Sequence, residues 1–585
     1  MRSLIISVLL VLSLYGLASQ AWLAEDAAIT LRAVENLYET RGPVYNPGEQ
    51  TEVYTHPLWF SILVIFRGMG LDSSITAVVL GSFLALLGLM LLVKSPSRPE
   101  STPTPFKYLH LIIPFMLAAH PGFRQFGASG MELGLLTLVL GLFYLMLEQN
   151  RPAERPGLLG LYLGLLYLIR PELGLFAVWY GFFFLWELIR QKHLGKRQRI
   201  VRAIRAAMSI LLVAGSWHLF RYLYYGELFP NTYYAKAGLD SYWLQGAKYL
   251  FHAVAFGPTA WIIILLVAAY SYLTYYNSPT IQDPAEKSTD WFRLLRDIGA
   301  PILMTAYVIR LGGDFMAFRF LLPELIMLAW LARRIFTIPL PARWNGWLSR
   351  WDSRPAGTLA AFVIICVIGM FLPVPAAYGY IASERFHFVR KFESQGPGLL
   401  NARNHPWGQR GLELSRLQSC LNYRTFRIAN SQAEATCMEG MGLGYVGLSA
   451  GPEVEIIDEQ GISDSYVARL PILLRFRPGH EHSIGTLEVL AKNVIFCETG
   501  DRRYDEIMST DFGTVVRWDP DLLATLPDAE NRLKELAAYK KEGSPAIEML
   551  EKRYNITVEE LQSRSPLWND RRMEEKRNCW KSSES

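Results

Sequence analysis

The sequence predicts a mainly α polytopic membrane protein, with about 11 transmembrane helices in residues 1–380 and a soluble α/β domain in residues 381–585. Three observations predict it. Apolar residues make up 51% of the 585-residue chain and charged residues only 19%, against roughly 25% charged in an average soluble protein. Apolar runs approaching the roughly 20 residues that cross a bilayer recur through the first two-thirds of the chain. Hydropathy then falls after residue 380, and the chain from about Asp519 reads as a charged helical tail. With 16 Trp, 29 Tyr and 30 Phe, the composition excludes a disordered, collagen-like or coiled-coil chain. A net charge of +5 over this length leaves no electrostatic footprint for nucleic acid.

The apolar runs place spans at 3–22, 74–93, 108–120, 133–148, 157–170, 173–190, 206–225, 258–276, 298–311, 319–336 and 358–379. The first is read as an uncleaved helix rather than a signal peptide ending at Ala18-Ser19-Gln20-Ala21, because the charged residues after it look like part of a working site. The run from Pro57 to Gly70 is too short to cross. It reads as a helix in the outer interface, with Trp59 and Phe60 as aromatic anchors. Basic residues then set the orientation. Lys94, Arg98 and Lys107, the group from Arg190 to Arg205, Arg293 with Arg296, and the group from Arg333 to Arg354 fall in alternate loops. That places those loops and the N-terminus in the cytoplasm, and the region after 380 outside it, for a protein of the cytoplasmic membrane. Five cysteines show no zinc spacing. Cys420 and Cys437 could pair in an oxidising compartment, but spacing does not decide it.

The outward loops hold the dense polar clusters. Glu25-Asp26 follows the first span. A carboxylate there can take a proton from a hydroxyl or hold a divalent cation, and acids also simply favour the first turn of a helix. Ser129-Gly130-Met131-Glu132 follows the third span. Arg170-Pro171-Glu172 lies between two spans in a turn too short to be idle, where Arg170 could hold a phosphate with Glu172 orienting it. Pro230 to Lys236 combines Asn231, Tyr233, Tyr234 and an ammonium, fit for a sugar phosphate or for an aromatic belt. Asp314 and Arg319 flank a membrane entry, where Gly312-Gly313 permits a close approach of backbone to ligand, or they form a structural ion pair. His56 is a further candidate base or ligand. One outward-facing site, reached from lipid and from outside, explains these clusters together. No Walker or Rossmann motif predicts a nucleotide cofactor, and a divalent metal is left open by the acids without support from a DxD motif.

Taken together these motifs resemble the terminal β-(1→2)-arabinofuranosyltransferase family. The match runs from Glu25-Asp26-Ala27-Ala28 through Arg32 and Asn36, then Gly42-Pro43-Val44-Tyr45-Asn46-Pro47-Gly48-Glu49 and Tyr54-Thr55-His56-Pro57-Leu58-Trp59. It continues in Ser129-Gly130-Met131-Glu132, Arg170-Pro171-Glu172, Pro230-Asn231-Thr232-Tyr233-Tyr234-Ala235-Lys236 and Gly312-Gly313-Asp314-Phe315-Met316. In the region after 380 it includes Asp458, Gly461-Ile462-Ser463-Asp464, Ala468-Arg469 and Arg477-Pro478-Gly479-His480, so the resemblance covers most of the chain. The chain departs from the family pattern at Glu25 (Asp), Val53 (Gly) and His56 (Asn).

The resemblance implies a GT-C type glycosyltransferase that moves arabinofuranose or a related pentose from a polyprenyl-phosphate donor to an extracytoplasmic glycan or glycoconjugate. It implies Asp26 as the catalytic carboxylate; in a mechanism built on that, Glu25 or His56 would tune it. Lys236, Arg170 and Arg319 would hold the donor phosphate. His56, Glu132, Glu172, Asn231, Tyr233, Tyr234 and Asp314 would hold sugar or acceptor. Asp464, Arg469 and His480 would serve acceptor recognition or closure of the site. Two other classes compete: a transporter or flippase of lipid-linked sugars, expected to bind near the midplane between inverted repeats, and a non-catalytic envelope assembly protein. Polar clusters on one face and the lack of an internal repeat favour the enzyme.

Overall fold

The computed structural model describes most of residues 2–469 together with Pro478. The segments 95–107, 237–240, 278–283, 338–345, 390–399, 416–423 and 428–442, some shorter stretches and the rest of the chain after 469 lie outside the described residues. The order of helices is α1 Arg2–Ala18, α2 Glu25–Tyr38, α3 Pro57–Gly68, α4 Ser73–Leu91, α5 Ile112–Ala119, α6 Pro121–Gly127, α7 Leu133–Glu148, α8 Pro156–Ile169 and α9 Leu173–Arg190. Next come α10 Lys196–Ile210, α11 Ser216–Tyr225, α12 Asn231–Lys236, α13 Trp243–Ala255, α14 Pro258–Asn277, α15 Pro284–Leu311, α16 Leu322–Ala332 and α17 Pro355–Phe371. A two-residue hairpin, β1 Ala377–Tyr378 with β2 Ile381–Ala382, follows α17.

The chain is a mainly helical, multi-pass membrane protein. Among the described residues three helices are long and apolar enough to cross a membrane: α4, α9 and the continuous rod Lys196–Tyr225. A fourth is counted if α13 and α14, bent by 95° at Phe256 and Gly257, form one span. The helix expected over 206–225 begins ten residues earlier, at Lys196. Lys and Arg are good helix formers, so the cations mark the end of the apolar stretch and not the end of the helix.

The short helix α3 also differs from its expectation. Trp59 and Phe60 face inward: the Trp59 indole N–H donates to the Gly130 carbonyl at 3.0 Å, and Phe60 stacks on Tyr54 with centroids 4.0 Å apart. Ile65 and Met69 are exposed instead, at 57% and 68%. An indole N–H buried next to a free carbonyl is satisfied, so the aromatic residues need no watery interface.

Helices α4 and α7 pack backbone to backbone. A Cβ added at Gly134 would sit 2.0 Å from the Gly81 carbonyl oxygen, so only glycine permits this approach. After residue 380, α18 (Glu384–Phe388), α19 (Pro406–Leu414) and α20 (Leu443–Ala450) are joined by a parallel strand pair, β3 Arg424–Arg427 with β4 Glu455–Asp458. Helix α20 lies against α2. Cys366 is a buried free thiol, and Cys420 and Cys437 lie outside the described residues. So does the charged tail expected from Asp519.

Gly134→Leu is expected to destabilise the protein by about 1–3 kcal/mol or more through overpacking, while Gly181→Leu, with nothing within 4 Å of its Cβ, leaves stability unchanged. Thermal unfolding of the two variants in one detergent checks this, and equal melting temperatures would contradict the close packing.

Candidate active site

The polar residues meet at the helix ends of one side of the bundle. Helix α2 begins at Glu25 and presents Asp26 and Thr30, one turn apart, to a cavity of about 370 Å³. Glu132 stands just before α7, Arg170 just after α8 and Glu172 just before α9. Tyr307 and Arg310 end α15, Lys236 ends α12, and Asp314 and Arg319 lie in the turn before α16. All of these line the cavity, with His56, Tyr233, Ile462 and Pro478. Its volume falls in the usual range for small-ligand sites, roughly 300–1,000 Å³.

Gly312 and Gly313, at φ +92° and +76°, make the tight turn that delivers Asp314. The β1–β2 hairpin braces this turn: Ala317 N–H donates to the Ala382 carbonyl at 2.9 Å, and Ala382 N–H donates to Phe315 O at 2.7 Å.

The charges have a definite pairing. Arg319 lies between two carboxylates, Asp26 at 2.7 Å and Asp314 at 3.7 Å. Arg170 lies between two others, Glu172 at 2.5 Å and Glu132 at 3.7 Å. The remaining cavity cations, Lys236 and Arg310, have no carboxylate within 4.0 Å among the described residues; Lys236 sits 5.9 Å from the Phe320 ring centroid. His56 Nε2 bonds Thr30 Oγ1 at 3.0 Å, and its Nδ1 stands 3.6 Å from Glu132 Oε2, with neither of these last two atoms hydrogen-bonded among the described residues. Burial pushes the His56 imidazole below its ordinary value, against the pull of Glu132. Burial alone would raise Glu132, but His56, Arg170 and Arg319 outweigh it and hold the carboxyl below its ordinary value. Burial pushes Asp314 up in spite of Arg319 and Lys236.

Several expected site residues are engaged elsewhere. Glu25 accepts the Gly444 N–H at the start of α20 and does not line the cavity. The Asn231 amide donates to the carbonyls of Gly461 at 2.8 Å and Ile462 at 3.0 Å, fastening α12 to the segment after β4. Tyr233 lies at the mouth, 45% exposed; Tyr234 packs edge-on against it, outside the lining. Asp464 is buried away from the cavity and caps the turn at Val467. For Arg469 only the backbone is described, in the turn Val467–Arg469, and His480 lies outside the described residues.

Sequence reasoning missed Arg310 and Thr30, which line the cavity, and Glu52 and Arg221, which brace it. Thr30 was legible as the residue one helical turn after Asp26. Among the described residues no three His, Cys, Asp or Glu side chains gather to hold a metal ion, and the cavity carboxylates face guanidiniums instead.

No family model matches the chain. It is similar to two proteins named terminal β-(1→2)-arabinofuranosyltransferase. That of Mycobacterium tuberculosis is 32% identical over 355 residues, covering 56% of this chain and 54% of that protein. That of Corynebacterium glutamicum is 25% identical over 366 residues, covering 56% and 50%. The similarity is thus narrower than the motifs imply, and the chain spans about half the length of these relatives. Among solved structures it is similar to ArnT from Cupriavidus metallidurans bound to undecaprenyl phosphate, at 11% identity and TM-score 0.45, covering 78% of this chain and 85% of that one. The apo form of ArnT gives 11% identity and TM-score 0.43, covering 87% and 94%.

His56 binds fewer protons folded than unfolded, so it contributes a loss of stability as pH falls below its ordinary value of 6.5. His56→Asn is expected to flatten the fall of melting temperature between about pH 6.5 and 5. An unchanged slope in thermal scans across that window would contradict a buried, neutral His56.

Proposed function

We propose that the protein is a membrane glycosyltransferase that moves arabinofuranose or a related pentose from a polyprenyl-phosphate donor to an extracytoplasmic glycan or glycoconjugate. The observation that carries this reading is the cavity itself. It brings Asp26, paired with Arg319, into one lining with Lys236 and Arg310, two cations that have no carboxylate within 4.0 Å among the described residues. The similarity to two arabinofuranosyltransferases supports the choice of sugar. The reading includes about eleven spans, a cytoplasmic N-terminus and an extracytoplasmic region after 380, supported by the alternation of basic loops.

In this reading the donor phosphate sits between Lys236 and Arg310 at the mouth, with its lipid tail in the bilayer. The acceptor oxygen attacks C1, the C1–O bond breaks, and its electron pair goes to the phosphate. The two cations stabilise the charge that grows there. Asp26 takes the acceptor hydroxyl's proton, and Arg319, anchored by Asp314, holds Asp26 in place. Arg170 stays with Glu132 and Glu172 and shapes the floor, so the phosphate clamp consists of Lys236 and Arg310 rather than Arg170 and Arg319. Tyr233 offers a ring face at the entrance for the sugar.

Asp26→Asn is expected to lower transfer from synthetic polyprenyl-phosphoryl arabinofuranose by about 10²–10⁴-fold while leaving polyprenyl phosphate affinity within a factor of a few. Lys236→Gln and Arg310→Gln weaken that affinity instead. Release of polyprenyl phosphate and its direct binding are the two readouts. Equal turnover by wild type and Asp26→Asn would remove Asp26 from the chemistry, and wild type that binds no polyprenyl phosphate would end the donor reading.

A further inference from the structure

Two wall segments of the cavity come from distant parts of the chain. Val53, Tyr54, Thr55 and His56 form one, and Phe229, Pro230, Thr232, Tyr233 and Lys236 form the other. Each begins beside a contact made by the same guanidinium. Arg221, on α11, donates from Nε and from Nη2 (3.2 Å) to the Glu52 carboxylate, and from Nη1 to the Leu228 carbonyl at 3.3 Å. Glu52 immediately precedes the first wall segment and Leu228 immediately precedes the second. Both ionic side chains are buried, at 2% exposure each.

The surrounding bonds tighten the same link. The Glu52 carboxylate also accepts the Trp217 indole N–H at 3.2 Å, and the Glu52 carbonyl accepts the Asn231 N–H at 3.0 Å, at the start of α12. Tyr54 O–H bonds Tyr225 O–H at 2.9 Å, and Tyr225 in turn donates to the Pro43 carbonyl at 2.8 Å. A planar guanidinium is suited to this task because its five N–H groups point in fixed directions, so two backbone segments are referenced to one rigid plane.

We propose that Glu52 and Arg221 are a positioning pair that fixes the distance between the two cavity walls, and so sets Lys236 against the carboxylate side of the site. The pair touches no cavity contents itself; it acts through Lys236 and through the segment that ends at His56. This inference rests on the reading of Lys236 as a phosphate ligand only for its consequence in binding, not for the geometry.

The test uses the full-length protein in detergent and two readouts. Variants Glu52→Gln and Arg221→Lys preserve size and, for lysine, charge, but lose the paired geometry. Hydrogen exchange of the peptides covering 227–236 and 51–56 is measured first. Both are expected to exchange faster in each variant, with the peptides of α4 and α7 unchanged. The second readout is affinity for undecaprenyl phosphate. It is expected to weaken about tenfold in Arg221→Lys, and combining Arg221→Lys with Lys236→Gln is expected to add little to Lys236→Gln alone, the signature of one residue acting through another. Unchanged exchange in the two wall peptides, or faster exchange spread over the whole protein, would overturn the positioning role, and fully additive losses of affinity would overturn its route through Lys236. Faster exchange in the wall peptides with no binding even by wild type would support the positioning role while ending the polyprenyl-phosphate reading. Trp217→Phe, which removes a single bond to Glu52, gives a smaller change in the same peptides if the larger variants fail to fold.

Discussion

The cavity end of this molecule depends on how buried guanidiniums are satisfied. Arg32, Arg170, Arg221 and Arg319 are all at least nine-tenths buried, and an arginine cannot shed its charge to escape the cost. Each must therefore find acceptors, and each finds them on a different pair of elements. Arg32 donates to the carbonyls of Tyr45 (2.7 Å), Gly447 (2.7 Å) and Val454 (2.6 Å), joining α2 to the loop after it and to α20. Arg221 joins the first loop to the turn before α12. Arg319 joins α2 to the glycine turn, and Arg170 joins the start of α7 to the start of α9. The loops that build the cavity are thus held by charge-assisted bonds where apolar packing runs out.

This has a consequence for the site's electrostatics. A guanidinium already held between two carboxylates contributes little attraction to an incoming anion, since its field is largely cancelled at short range. Lys236 and Arg310 keep theirs. The cavity lining therefore combines balanced ion pairs with two cations that have no carboxylate within 4.0 Å among the described residues. In the proposed reading these two cations hold the donor phosphate while its sugar reaches toward Asp26, and the paired charges need no rearrangement as charge develops. Neutral His56 fits the same scheme, because a charged imidazole between Arg170, Arg319 and Glu132 would disturb the balance of those pairs.

Much of this was legible in the sequence, and the exceptions have physical reasons. Helix α7 has the expected bounds, because Glu132 and Gly130 at one end and Glu148 at the other frame an unbroken apolar run. Asp26, Lys236, Asp314 and Arg319 stood out because charges beside apolar spans are costly. Arg221 and Arg310 escaped notice for the opposite reason: at the end of an apolar helix a lone arginine looks like one that snorkels to the interface. Glu52 sat unremarked within the motif that supplies His56, and its partner is 169 residues away. Side chains paired at that distance leave no local pattern. The inward turn of Trp59 was hidden as well, because its partner is a backbone carbonyl and carbonyls have no letter in the sequence.

Glu25 and Asp26 show why a motif does not assign roles by itself. They are neighbours of like chemistry, yet one fastens α20 and the other faces the cavity. One residue along an α-helix is a rotation of about 100°. Glu25, Arg32 and Asn36 are seven and eleven residues apart, which returns them to nearly one stripe, and all three bind backbone groups of the loop after α2 or of α20. Asp26 and Thr30 lie on the adjoining stripe and line the cavity. A single helix thus carries a structural seam and a cavity-lining face side by side. The first acid belongs to the seam because Arg32 and Asn36 already define it, and the second is turned toward the cavity by geometry alone.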